Sequence, residues 1–106
     1  RPTVLLGDFN SADSELDVES RPHIPSAGIQ SLLGQGWADA WRHTHPTELE
    51  YTWYSNTGNG FRIDTAFLSP SLLPSLSAAT YQHGPRLAGA SDHSLLALDI
   101  AWPQLI

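Results

Sequence analysis

Cysteine, methionine and lysine are all missing from the 106 residues. Without cysteine the chain has no disulfide scaffold and no thiolate–metal chemistry of its own. That absence is compatible with a cytoplasmic protein, the compartment it favours without establishing. No apolar run approaches the roughly 20 residues of a membrane-spanning helix, so no span is expected. The opening Arg1-Pro2-Thr3 has neither an initiating Met nor the apolar core of a signal peptide, and the sequence reads as cut from a longer one. Positive charge is scarce: five arginines face eleven acidic residues, for a net charge of −6. Nucleic-acid binders usually carry a basic footprint, because phosphate contacts supply much of their affinity. A stand-alone DNA-binding module is therefore disfavoured, whereas clustered carboxylates suit a divalent cation.

What is present is mostly strand-like. Thr3-Val4-Leu5-Leu6 reads as a buried strand ending at Gly7. Asp8 and Asn10 follow, two residues apart and hence on one side of extended backbone. Residues 11–25 turn polar, and Asp13, Glu15, Asp17 and Glu19 are expected in a solvated loop. Ser26 is a plausible N-cap for a helix whose apolar face carries Ile29, Leu32 and Leu33, with Gly34 and Gly36 closing it. Trp37 to Trp41 is expected to be a short strand or turn. Tyr51-Thr52-Trp53-Tyr54, a turn-forming stretch 55–60 and a strand from Phe61 to Leu68 predict a hairpin. Ser69 to Pro74 reads as a connector with one helical turn, Ala79 to Gln82 as a weak strand, and Ser94 to Ala101 as a largely buried one. Strands outnumber helices, and half of a layered α/β sandwich is the economical architecture.

Three strings carry the candidate chemistry. Asp8 and Asn10 at a strand terminus either form a local turn or hold a carboxylate and an amide where a water can be oriented. Asp64 falls in an otherwise apolar strand, where a carboxylate needs a partner. Two partners are open: Arg62, in a structural ion pair, or His93, whose tautomer and charge the acid would then fix. Ser91-Asp92-His93 precedes the last apolar strand. His23, His43, His45 and His83 read as surface or hydrogen-bonding histidines; His43 and His45 alternate on one strand side, but no third zinc ligand accompanies them.

In this order, Gly7-Asp8-Phe9-Asn10, Trp41-Arg42-His43 with Pro46, Tyr51-Thr52-Trp53-Tyr54, Gly60-Phe61-Arg62-Ile63-Asp64, Leu68-Ser69 and Ser91-Asp92-His93 resemble the endonuclease/exonuclease/phosphatase superfamily. The likeness is strongest to its exonuclease III and AP-endonuclease branch. The resemblance implies the C-terminal half of a four-layered, DNase I-like α/β sandwich, the N-terminal half being absent. It implies a nuclease or other phosphoesterase dependent on Mg²⁺ or Mn²⁺. Asp8 would align or deprotonate the attacking water, and Asn10 would contact the phosphate. Asp64 would orient His93, and His93 would meet the phosphate. Asp92, with Asp8 and Asn10, would associate with the metal. Trp53, Phe61, Arg62 and Ile63 are the expected substrate contacts, and the substrate a phosphodiester, possibly DNA. The loop from Ser55 to Gly60 is shorter than in typical abasic-site enzymes, which keeps an inositol-phosphate or sphingomyelin-type phosphoesterase in play. A non-catalytic scaffold is the third alternative. The isolated half would expose a sheet face, and it is expected to need its missing half or a second chain for turnover.

Overall fold

The computed structural model describes residues 1–20 and 22–102. The apolar run after Thr3 forms β1 (Val4–Asp8), and β5 (Asp64–Leu68) pairs with it antiparallel. The other side of β5 takes the two-residue β2 (Ala38–Asp39), so the sheet order is β1-β5-β2. β5 is the central strand, and Thr65 to Leu68 are buried. Contrary to the sequence expectation, β1 is not buried: it is an edge strand, with Leu5 39% and Leu6 61% exposed. A second antiparallel pair, β6 (Leu76–Gln82) with β7 (Leu95–Ile100), lies beside it. β7 is half-exposed rather than largely buried, again because only one of its edges is paired.

Helices cover the other side. Ser26 caps α1 (Ala27–Gly34) by accepting from the Ile29 amide, as its position predicts. Asp39 ends β2 and at once caps α2 (Ala40–Thr44), accepting from the Arg42 amide. Trp41 on α2 packs with Ala66, Leu68, Leu72, Ala79 and Tyr81 into the main core. The connector after Ser69 makes one 3₁₀ turn, Leu73–Ser75. A short helix, α3 (Gly84–Leu87), joins β6 to the final strand.

The predicted hairpin is only partly formed. β3 (Trp53–Tyr54) pairs with β4 (Gly60–Phe61), and the turn between them needs Gly58 at φ 83°. Gly60 is also sterically required, since a Cβ there would lie 2.7 Å from the Tyr51 ring. The strand does not run on from Phe61 to Leu68. It breaks at Arg62-Ile63, and β5 leaves the hairpin to join β1. At the break the Arg62 amide bonds to the Asp17 carbonyl, 2.9 Å, and the side chain turns into the interior.

There it overturns two sequence readings. The acidic segment is not simply a solvated loop: Asp13 and Asp17 are buried, with Asp17 in a 3₁₀ turn at Glu15–Asp17. Arg62, expected against substrate, is fully buried. Its Nε and Nη2 donate to Asp17 at 2.7 and 3.0 Å, and its Nη1 and Nη2 to Asp39 at 3.1 and 2.5 Å. Asp13 lies 3.5 Å away, Arg42 adds a second guanidinium at Asp17, and the Trp41 ring lies beneath Arg62. Three acids thus meet two cations. Burial, then a hydrogen bond to Asp39, pushes the Asp13 carboxyl up to about 9. The proton it retains balances the cluster. Burial alone would raise Asp39 too, but the bond from Asp13 and the Arg62 charge hold it below the ordinary carboxylate range.

The sign of the pH dependence follows. An acid whose folded pKa is raised contributes fully below its unfolded value, near 3.8, and loses that contribution as pH climbs toward 9. Asp39 runs the opposite way and loses its contribution only in acid. Asp13→Asn keeps a donor for Asp39 and has no proton to lose. Denaturant unfolding of the full-length protein should show the variant gaining on wild type between pH 5 and 8.5, by about 2 kcal/mol at the alkaline end. Parallel stability curves would mean that Asp13 is not the proton-carrying acid.

Candidate active site

The register of one strand pair sets the two acids of the site. In the β1–β5 ladder Val4 faces Leu68 and Asp8 faces Asp64, so the pair ends with two carboxylates side by side. Like charges opposite each other are unfavourable, and a cation between or beside them relieves the repulsion. His93 arrives from the segment just before β7. It forms an isolated bridge with Trp53, and the next residue donates its amide to the Thr52 carbonyl at 2.8 Å.

His93 Nδ1 lies 2.8 Å from Asp64 Oδ2. A carboxylate only accepts, so Nδ1 carries the proton and Nε2 points outward. Nε2 is 3.8 Å from Asp8 and 3.9 Å from Asp92, which flank it. Burial by itself would lower the pKa of His93, but the bond and charge of Asp64 outweigh it and hold the imidazole above its ordinary value. The cationic form is favoured, and a cation suits an anionic phosphate oxygen better than it suits a metal ion. Of the two partners left open for Asp64, the structure brings it His93; Arg62 is committed to the interior.

Asp8 is about 39% exposed, and its Oδ1 accepts from the Asn10 amide at 2.9 Å. The local-turn reading of this string is observed. The Asx turn is formed, with Asn10 in the left-handed region at φ 54°, and it fixes the carboxylate at the strand end. One oxygen each from Asp8 and Asp64 and a ring nitrogen of His93 lie within 4.8 Å of one another. Hard oxygen donors of this kind suit Mg²⁺, which binds through one or two carboxylates and keeps several waters. Asp64 is engaged by His93, which leaves Asp8 and the 82%-exposed Asp92, with Asn10 nearby, as the side chains that could hold a cation.

The expected substrate contacts fall in two places. Trp53 stacks beside His93, ring centroids 6.4 Å apart, and packs on Phe61 at 5.7 Å. Phe61 and Ile63 join Asn10, Val18 and Pro22 to Pro25 around a cleft of about 320 Å³, although Ile63 itself is mostly buried. Thr52, a strand residue in the sequence reading, has a positioning role that the sequence does not signal. It is fully buried, and its hydroxyl accepts from the amides of Ile63 and Asp64 at 3.1 and 3.3 Å. Tyr81 was equally silent. Its hydroxyl donates to the Asp64 carbonyl at 2.6 Å and receives Arg62 at 3.2 Å. No local pattern marks either role, since both depend on contacts between distant segments.

The sequence and the fold have counterparts. The sequence model of the Endonuclease/Exonuclease/phosphatase family matches residues 1–93. The chain belongs to that family. It is 30% identical over 117 residues to the DNA repair nuclease APEX1 of Danio rerio, covering 95% of this chain and 37% of the relative. It is 29% identical over 96 residues to an exodeoxyribonuclease of Bacillus subtilis, covering 76% of this chain and 38% of that one. Among solved structures, a Neisseria 3′ phosphatase bound to its product DNA hairpin superposes with a TM-score of 0.80 at 29% identity, covering 95% of this chain and 46% of the other. An AP endonuclease from Archaeoglobus fulgidus gives 0.80 at 28%, with the same coverage. The expected fold class is thus observed, with mostly strands and few helices as in these DNase I-like enzymes. This family member spans less than half the length of the relatives cited.

Proposed function

We propose that the chain is the C-terminal half of a divalent-metal-dependent phosphoesterase that hydrolyses phosphodiester bonds, DNA being the favoured substrate. The observation that supports this most is the meeting of Asp8, Asp64 and His93 at one rim. Relatives that act on DNA supply the substrate class. In this reading Asp8 takes the proton of a water that attacks phosphorus in line, the opposite P–O ester bond breaks, the leaving alkoxide takes a proton from solvent, and the Asn10 backbone amide keeps Asp8 aimed. Asp64 holds the His93 ring, whose outward Nε2–H meets a phosphate oxygen as negative charge builds on it. A divalent ion held by Asp8 and Asp92, with Asn10, would supply polarisation of the phosphate. No covalent intermediate is required.

The other half would cover the face beside the rim. Leu6 and Leu95 are exposed there, around a cleft that Asp8, Asp64 and Thr65 also line. This residue range by itself should turn over negligibly.

The short turn at 55–59 and the net charge of −6 favour a second substrate class, small phosphate esters. Assays of the full-length protein on abasic duplex, 3′-phosphorylated DNA, single-stranded DNA and inositol phosphates, each with and without EDTA, separate the two. DNA substrates should be cleaved, and chelation should abolish turnover until Mg²⁺ or Mn²⁺ is restored. Cleavage undiminished by EDTA would refute the metal assignment. Hydrolysis of inositol phosphates alone would move the protein to the small-ester class.

A further inference from the structure

Behind His93 lies a second array that the reaction scheme does not use. Ser94 follows His93 directly and is only 6% exposed. Its Oγ sits 2.6 Å from His83 Nδ1 and receives Arg86 Nε at 3.0 Å. The other ring nitrogen, His83 Nε2, is 3.0 Å from Glu50 Oε1. Arg86 also spans the Tyr54 ring, 5.0 Å from its centre.

The proton positions follow from the chemistry of the partners. Glu50 accepts only, so His83 Nε2 bears hydrogen. Arg86 Nη2 also approaches His83 Nδ1, at 3.4 Å, and a guanidinium only donates, so Nδ1 is the accepting nitrogen. The hydroxyl hydrogen of Ser94 therefore points at His83, and one lone pair takes the Arg86 N–H. One rotamer of Ser94 satisfies all of this. The Ser–His–Glu chain of contacts resembles that of a serine hydrolase, but Ser94 is buried and its oxygen is already engaged by a guanidinium. It is placed as a brace, not as a nucleophile.

We infer that Glu50, His83 and Arg86 are positioning residues which, through Ser94, hold the backbone at His93 in the place where its imidazole reaches Asp64. The array ties together the segment before β3, the end of β6, the first turn of α3 and the entry to β7. On the opposite side Ser94 N bonds to Thr52 O, and Thr52 also fixes the Asp64 amide. Ser94, the residue after His93, is thus held twice, by its side chain in this array and by its backbone amide at Thr52. The inference rests on the proposed role of His93, so the test must tell the two apart.

The test is steady-state kinetics of the full-length protein on its best DNA substrate, with Ser94→Ala, His83→Ala, His83→Asn, and His93→Ala as the reference. Ser94→Ala and His83→Ala should lower kcat on the order of 10- to 100-fold with KM little changed, as loss of an orienting neighbour does. His83→Asn places an amide oxygen near the former Nδ1 and should recover most of the rate. The low-field Nδ1 proton resonance of His93 should weaken or exchange faster in the two alanine variants and return in the asparagine variant. That resonance reads the Asp64 contact whether or not either alanine variant loses stability. If His93→Ala cripples turnover but Ser94→Ala and His83→Ala leave both kcat and the resonance unchanged, the positioning role is wrong. It is equally wrong if His83→Asn is no better than alanine. If His93→Ala itself is active, the catalytic reading falls first, and the resonance alone judges the brace.

Discussion

Arg62→Ala is expected to lower the unfolding free energy by about 3–5 kcal/mol, the usual consequence of removing one partner from a buried ion pair. The loss comes less from the attraction forgone than from what stays behind. Asp17 would keep the Arg42 guanidinium, Asp39 would lose its ion pair, and Tyr81 would lose a donor. Domains are commonly stable by only about 5–15 kcal/mol, so the variant should be marginal. Arg62→Lys should rescue little, because an ammonium cannot serve Asp17 and Asp39 as a planar fork does. Urea unfolding of the full-length protein measures the effect. The competing expectation, that Arg62 grips substrate, predicts normal stability with a raised KM. A midpoint equal to that of wild type, with weakened substrate binding, would reinstate it.

His93→Ala should reduce kcat by about 10²–10⁴-fold, the range of a positioned group that handles charge or a proton in the transition state. Stability should hardly change, since the ring is partly exposed and outside the main core. Asp64→Asn is the more discriminating variant. It preserves the shape of the side chain, but an amide presents oxygen or nitrogen to Nδ1 depending on its flip, and the charge that favours the imidazolium is gone. A loss nearly as large as that of His93→Ala is expected, and the double variant should be scarcely worse than either single one, because the two residues act as a unit. Additive losses would show that Asp64 contributes independently of His93. Near-wild-type turnover of His93→Ala would remove the histidine from the mechanism.

The two predictions mark where local pattern was and was not enough. Ser26 as a cap, the helix after it and the connector following Ser69 are written in residues close together in the chain, and they form as read; the strand near the end forms too, but half-exposed. The strand from Phe61 to Leu68 is broken because Arg62 has somewhere better to go. Burying a guanidinium against three acids from two other segments outweighs continuing a hairpin, and no stretch of ten residues contains both sides of that balance. Burial of β1 was misjudged for a related reason: an apolar run announces a strand but not whether its edge and outer face are covered. Glu50, His83 and Ser94 are scattered over more than forty positions, and singly each looks ordinary.

The sequence alone determined which chemistries were open. Its short motifs, in the order in which they stand, point to the family, because they can be read wherever the chain carries them. The tertiary structure decided which group touches which. It set Asp8 against Asp64 through strand register, gave His93 rather than Arg62 to Asp64, and withdrew Arg62 from the surface. Those outcomes turn on desolvation and on contacts across dozens of residues, quantities that exist only once the chain has closed on itself.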